Sequence, residues 1–329
     1  MTVNGGAFTQ LNGRLADFAK VVLRTRELTL LVIIVVIVVA MSQLTPFFLS
    51  MANFRAVAIG LVPTAIIVVG MAILLVSGGF DLSVGAVLAL SGTVVALLMV
   101  NGAPIWLAVV LTLLLGAGIG LANGLLVTKV GVNPLVATLG TMSVARGFAL
   151  VLTEGFSVSK LPQEFGYIGA TSWLGIPLMV VIMAVIVIVG DVALRQTRYV
   201  RQVYYIGANE SAARLSGIAV DRVRTTAYVT TSLLAALAGI LLASRLQAGT
   251  PTAASGLELQ VLAAAVIGGA SLGGGQGSVL GAFLGVIFVA LINNVMTMLA
   301  VSIFWQMVVI GVVLIVAVAL DMLVRRRRR

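Results

Sequence analysis

The sequence contains neither cysteine nor histidine. Without cysteine there is no disulfide and no thiol nucleophile. Without histidine, the commonest metal ligand and the commonest acid–base group near neutral pH are missing. A serine–histidine pair, a cysteine nucleophile and an HExxH zinc site are therefore excluded. A serine–lysine dyad would need an interior lysine, but Lys20, Lys129 and Lys160 lie in loops or flanks. No GxxxxGK[ST] loop occurs, so the chain does not hydrolyse ATP by that route, and the glycine-rich stretch 273–277 has no lysine.

Charge is scarce. Only 9% of the residues are charged and 61% are hydrophobic, where a soluble domain runs near 25% and about 45–50%. No soluble fold of 329 residues hides that much apolar surface behind so few charges, so lipid is the solvent for most of the chain. Runs of interior Asp, Glu or His are also missing, which argues against a proton relay and an ion-coupled transporter. The net charge of +10 reads as membrane orientation rather than nucleic-acid binding, because the bases cluster at the ends of apolar runs.

Ten apolar runs are long enough, or nearly long enough, to span at about 20 residues each. They cover 28–48, 56–77, 82–100, 105–127, 133–153, 173–193, 223–244, 258–274, 278–298 and 301–323. The eighth is the shortest and ends in glycine-rich sequence. The first 27 residues hold no apolar stretch of the signal-peptide kind. The expected organisation is a segment 1–27, a single membrane domain 28–323 and a basic tail 324–329. Charge checks the count. Arg14, Lys20, Arg24 and Arg26 precede the first run, and Lys129 follows the fourth. Arg195, Arg198, Arg201, Arg214, Arg222 and Arg224 follow the sixth, and Arg325 to Arg329 follow the last. If basic segments stay in the cytoplasm, an even number of spans must separate each pair, and the count supplies four, two and four. Both termini are then cytoplasmic, and Arg55, Lys160 and Arg245 lie outside.

The longest cytoplasmic connection is 194–224. Within it, Asn209 can cap a short helix beginning at Glu210, and Gly217 can end it. Such a helix is more than a solvated connector needs and reads as an interaction surface. Residues 11–22 place Leu11, Leu15, Phe18 and Val22 on one face, either as an interfacial helix or as a basic tail that orients the first span. In the outer loop 154–172 and just beyond it, Tyr167 and Trp173 serve as interfacial anchors or face a soluble partner. Gly116, Gly120 and Gly124 form a stripe that favours helix packing. Gly269, Gly273, Gly277, Gly281 and Gly285 recur at the same interval, but the intervening Gly274, Gly275 and Gln276 point to a break between spans.

Few interior residues carry chemistry. Asp81 stands where it can cap the third span. Arg146 lies inside the fifth, about seven residues or roughly 10 Å from the outer end, close enough to snorkel partway. It serves structure, gating or substrate contact. Asn133, Thr138, Thr141, Asn293 and Asn294 either line a path for a hydroxylated solute or hold helices together.

Four stretches, in order, carry a family resemblance. They are Ser77-Gly78-Gly79-Phe80-Asp81-Leu82-Ser83-Val84-Gly85, Asn133 to Thr141 with Arg146-Gly147, Gly207-Ala208-Asn209-Glu210 through Ser216-Gly217-Ile218, and Ile267 to Gly277. Together they resemble the permease subunits of bacterial ABC importers of the ribose/xylose type, over about residues 55 to 323. The family usually has Ile where Phe80 stands, and it varies at 274–276. The resemblance implies an all-α membrane fold in two inverted five-span halves, placed in the bacterial inner membrane. No matching repeat is visible, because one glycine-rich break follows the second span and the other the eighth. It further implies a second permease copy or paralogue, a periplasmic or lipid-anchored sugar-binding protein and a cytoplasmic ABC ATPase. ATP and Mg²⁺ belong to that ATPase, and this chain carries no cofactor and binds no nucleic acid. Gly207, Asn209, Glu210, Ala213, Arg214 and Gly217 match the coupling helix on which the ATPase docks, and ATP-driven alternating access releases the sugar inward. Nucleoside, polyol or autoinducer-like cargo fits the same machine. An ion-coupled transporter and an intramembrane enzyme are the competing classes.

Overall fold

A computed structural model describes residues 26–326. The amphipathic stretch 11–22 and the last three arginines lie outside the described residues. The chain forms a bundle of long apolar helices: α1 (Arg26–Leu44), α2 (Met51–Val76), α3 (Val84–Val100), α4 (Ile105–Leu125, prolonged by a π-turn over Leu126–Val130) and α5 (Pro134–Thr153). A short helix α6 (Gly166–Ala170) and a two-residue hairpin, β1 (Ser172–Trp173) with β2 (Ile176–Pro177), lead into α7 (Leu178–Gln196). Two polar helices follow, α8 (Arg198–Ala208) and α9 (Glu210–Leu215). The bundle is completed by α10 (Val220–Leu246), α11 (Leu257–Ile267), α12 (Val279–Met298) and α13 (Ile303–Arg326).

Among the described residues, seven helices are long and apolar enough to cross a membrane, and three shorter apolar helices, including α3 and α11, accompany them. The fold is an all-α membrane protein apart from the hairpin. The sixth apolar run begins as that hairpin because Gly175 turns the chain at positive φ and Pro177 can only start a helix. The eighth run stops being helical at Ile267, seven residues before its apolar composition ends. Gly269, Gly274, Gly275 and Gly277 all have positive φ, so segment 268–278 is a turn-rich break.

α2 and α10 form the centre, and α2 is buried from Leu61 to Val76. Each is long (26 and 27 residues), and each is followed by an irregular segment, 77–83 or 247–256, and then a shorter helix, α3 or α11. The first turns of α3 and α11 meet, since a Cβ on Gly85 would collide with the Glu258 carboxylate and lie 2.8 Å from the Ala254 carbonyl. The stripe Gly116, Gly120 and Gly124 packs α4 onto α10. A Cβ on Gly120 would lie 2.7 Å from the backbone at Tyr228 and at Val229. Between helices in lipid, where no hydrophobic force separates buried from exposed apolar faces, such backbone approach is what holds the pair.

Replacing Gly120 with Leu should therefore force α4 from α10 and cost about 1–3 kcal/mol or more. Leu at Gly118, which has open space around it, should leave unfolding in detergent unchanged. Equal melting temperatures for the two variants would refute this packing.

Candidate functional site

The polar loop after α7 folds onto the end of the bundle. Asn209 is extended (φ −158°) and its side chain accepts from the Ala212 N–H at 3.0 Å, so it caps α9 as expected. Gly217 closes the helix at φ +81°. Ala213 faces inward and is buried, whereas Leu215 is 90% exposed.

Beneath α9 the packing is backbone to backbone. The Gly275 N–H donates to the Val76 carbonyl at 2.8 Å. Gly207 lies against both groups, where any Cβ would collide with Val76 O and Gly275 N. A Cβ on Gly274 would meet Gly207 Cα at 2.8 Å and Gly78 N at 3.0 Å. The Tyr204 hydroxyl donates to the Gly277 carbonyl at 2.8 Å. The α8–α9 corner is thus fastened to both helix breaks, 77–83 and 268–278.

Charges reinforce this. Glu210 Oε2 accepts from Arg224 Nη2 at 2.9 Å, and the same nitrogen donates to the Ser77 carbonyl at 3.1 Å. Glu210 Oε1 pairs with Arg214 at 2.9 Å. Asp221 takes Arg214 on one oxygen at 2.6 Å and Lys129 on the other at 3.0 Å. Partial burial pushes the Glu210 carboxyl up, but the hydrogen bonds from Arg224 and Arg214 outweigh it and hold it below the usual range.

Asp81 is fully buried. Its Oδ1 accepts from the Ser83 N–H at 2.8 Å and the Ser83 hydroxyl at 2.6 Å. Its Oδ2 accepts from Asn123 on α4 and Ser232 on α10, both at 3.3 Å. Thr141 on α5 donates to Asn123 Oδ1 at 2.5 Å. The Tyr228 hydroxyl reaches the Phe80 carbonyl at 3.3 Å. Asp81 therefore joins α3, α4, α5 and α10 as well as bracing the start of α3.

The remaining predicted residues separate. Asn133 is exposed and caps α5 through the Leu135 N–H at 2.9 Å. Thr138 is buried and bonds back to the Pro134 carbonyl. Arg146 Nη1 donates to the Pro251 and Ala253 carbonyls at 2.9 and 2.8 Å, so it holds the segment 247–256 that precedes α11. Asn293 and Asn294 line a cleft of about 310 Å³ between α2, α11 and α12, with Thr64, Gln260 and Thr297. Asn294 exchanges amide hydrogen bonds with Asn53 at 2.7 and 3.2 Å, while the buried Asn293 Oδ1 has no partner among the described residues. No charged side chain among the described residues lines this cleft. Among the described residues, no group of three or more Asp and Glu side chains could hold a metal.

Sequence reasoning missed Arg224, Asp221, Lys129, Asn123, Ser232 and Glu258 as site residues. Arg224 and Tyr228 had a legible signal, being one turn apart on α10 and both aimed at segment 77–80.

Residues 53–318 match the family described as branched-chain amino acid transport system permease component. The chain is 41% identical to the ribose import permease of Bacillus subtilis over 288 residues, covering 87% of this chain and 89% of that one. It is 38% identical to the ribose import permease of Escherichia coli K12, covering 88% and 92%. It is 34% identical to the L-arabinose transport system permease of the same strain, covering 91% and 92%. No solved structure matches the chain.

Two outcomes follow from this geometry. Asp81→Ala leaves the donors of Ser83, Asn123 and Ser232 facing nothing, and should cost about 3–5 kcal/mol, read as unfolding in detergent. Because Glu210 is held low, the stability it contributes is present above the ordinary carboxylate range and is lost as pH falls through its depressed value. Hydrogen exchange over 210–215, corrected for intrinsic rate, should be constant from about pH 7 to 5 and rise below about pH 4. Protection that persists unchanged to about pH 3 would contradict it.

Proposed function

This chain belongs to the family of branched-chain amino acid transport system permease components, and from that membership we propose that it is the membrane-spanning subunit of an ATP-driven sugar importer. Near full-length relatives are ribose and L-arabinose permeases, although the family description speaks of amino acids. The cleft favours the sugar. Its wall is apolar apart from the amides and hydroxyls of Thr64, Gln260, Asn293, Asn294 and Thr297, and none of the described residues lining it is charged, which suits a neutral polyol and leaves both ends of a zwitterion unpaired. A nucleoside or free polyol is compatible with the same lining.

The chain spans the membrane ten times, with both termini, α8 and α9 in the cytoplasm. The basic residues support this orientation. Its halves are α1–α5 and α7 with α10–α13, the second inverted. The long–break–short order of α2–α3 and of α10–α11, together with the meeting of Gly85 and Glu258, supports the repeat. The partner of the break 77–83 is then 247–256 rather than the more glycine-rich 268–278.

The observation that carries the proposal is the junction of the α8–α9 corner with both breaks. A cytoplasmic ATPase, which holds the nucleotide and its Mg²⁺, docks on the outward face of α9, where Leu215 offers an apolar anchor. Movement of α9 passes through Arg224 to Ser77 and through Gly207 to Gly274. The backbone that shifts is the backbone at which α3 and α12 begin. A second permease copy or paralogue completes the path, and an extracytoplasmic binding protein delivers the sugar.

The test is uptake of radiolabelled ribose, arabinose and leucine by vesicles holding this chain with its ATPase and binding protein. Sugar should enter and leucine should not. Leu215→Glu should abolish co-purification of the ATPase. Arg224→Gln should keep the complex and its hydrolysis but lower uptake at least tenfold. Uptake by the chain alone, without an ATPase, would overturn the reading.

A further inference from the structure

We infer that the crevice between α7, α8 and α10 is a binding site for an anionic phospholipid, with one acyl chain in the crevice and the phosphate on Arg198 and Arg222. The crevice has a volume of about 420 Å³ and an almost wholly apolar wall, including Val69, Val189, Ala193, Val203 and Leu234. It opens on the flank of the bundle where Val185 and Val189 are exposed. Along α10 it runs from Val223 to Leu234, roughly 16 Å at the helical rise, which is about one leaflet's half of an about 30 Å hydrocarbon layer.

The end nearest α8 is polar. The Tyr199 hydroxyl lies 3.0 Å from the Thr226 hydroxyl and bridges α8 to α10 across the crevice. Arg222 stands one turn before Thr226, and Thr230 one turn after, so the three share a face of α10 and the last two line the crevice. Arg198 adjoins Tyr199. Arg198 and Arg222 are exposed, and neither has an ion pair among the described residues. Neighbouring arginines are committed elsewhere, Arg195 to Asp191 at 2.7 Å and Arg224 to Glu210. An apolar slot as long as a leaflet, with two uncommitted guanidinium groups at its mouth, complements an acyl chain below an anionic headgroup. Guanidinium binds phosphate in a fork that a zwitterionic headgroup offsets with its own cation. Placing that headgroup in the cytoplasmic leaflet rests on the orientation proposed above, while the binding itself does not.

Native mass spectrometry of the full chain, delipidated in detergent and given phosphatidylglycerol or phosphatidylcholine of identical acyl chains, tests the site without transport or an ATPase. One phosphatidylglycerol should be retained with a preference of about 10- to 30-fold for two such charges. Replacing both Arg198 and Arg222 with Gln, at exposed positions that do not carry the fold, should erase the preference. Ala193→Trp should fill the crevice and lose both lipids, with melting temperature checked in parallel. Equal retention of the two lipids, or a preference that survives the double substitution, would overturn the site. So would lipid uptake that appears only after residues 2–22 are removed, because the crevice would then belong to that segment. None of these outcomes bears on whether the chain imports sugar.

Discussion

A helix that stops inside a bilayer leaves its last carbonyls and the next helix's first N–H groups without water to satisfy them. Most of what is particular to this bundle answers that constraint. After α2 the Val76 carbonyl is taken by the Gly275 N–H and the Ser77 carbonyl by Arg224. After α11 the Gly277 carbonyl is taken by Tyr204. Each break is closed by the other, by the α8–α9 corner or by α10. The irregular backbone of both breaks is thus closed by protein groups.

That solution also makes the corner mechanically consequential. A Cβ on Gly207 would collide with groups from both breaks, so the corner and the breaks share one surface with no slack. The ion pairs of Glu210, Arg214, Asp221 and Lys129 are largely solvent-facing, and such pairs contribute modestly. Their value is geometric, fixing α9 against the start of α10. The Glu210–Arg224 pair differs, because Arg224 is the more buried partner and also serves a backbone carbonyl.

Local features were legible in the sequence and distant ones were not. Hydropathy located the long helices, and the cap at Asn209 with the stop at Gly217 located α9, because each signal lies within a few residues. Composition extended the eighth run to 274, whereas Gly269 at positive φ follows the helix end at Ile267 and Gly274, Gly275 and Gly277 keep the chain irregular beyond it. Asp81 looked like a cap for α3. Its further partners, Asn123 and Ser232, stand 42 and 151 residues away, beyond any spacing rule. Arg146 was legible as costly in lipid, but not as the holder of Pro251 and Ala253, for the same reason. Asn133 and Asn293 looked alike, and only the packing separates a helix cap from a cleft wall.

The reach of Asp81 also sets an order on biogenesis. Its carboxylate emerges from the ribosome well ahead of Ser232, a gap of about 8–30 s at 5–20 residues per second. Until α10 arrives, segment 77–83 holds an acid whose partners are incomplete, and it cannot rest in hydrocarbon without cost. Docking of segment 77–83 is therefore complete only once Ser232 on α10 is in place. Five of the described helices made before α10 are already long and apolar enough to cross a membrane, so what α10 supplies to them is a partner for that acid as well as apolar length.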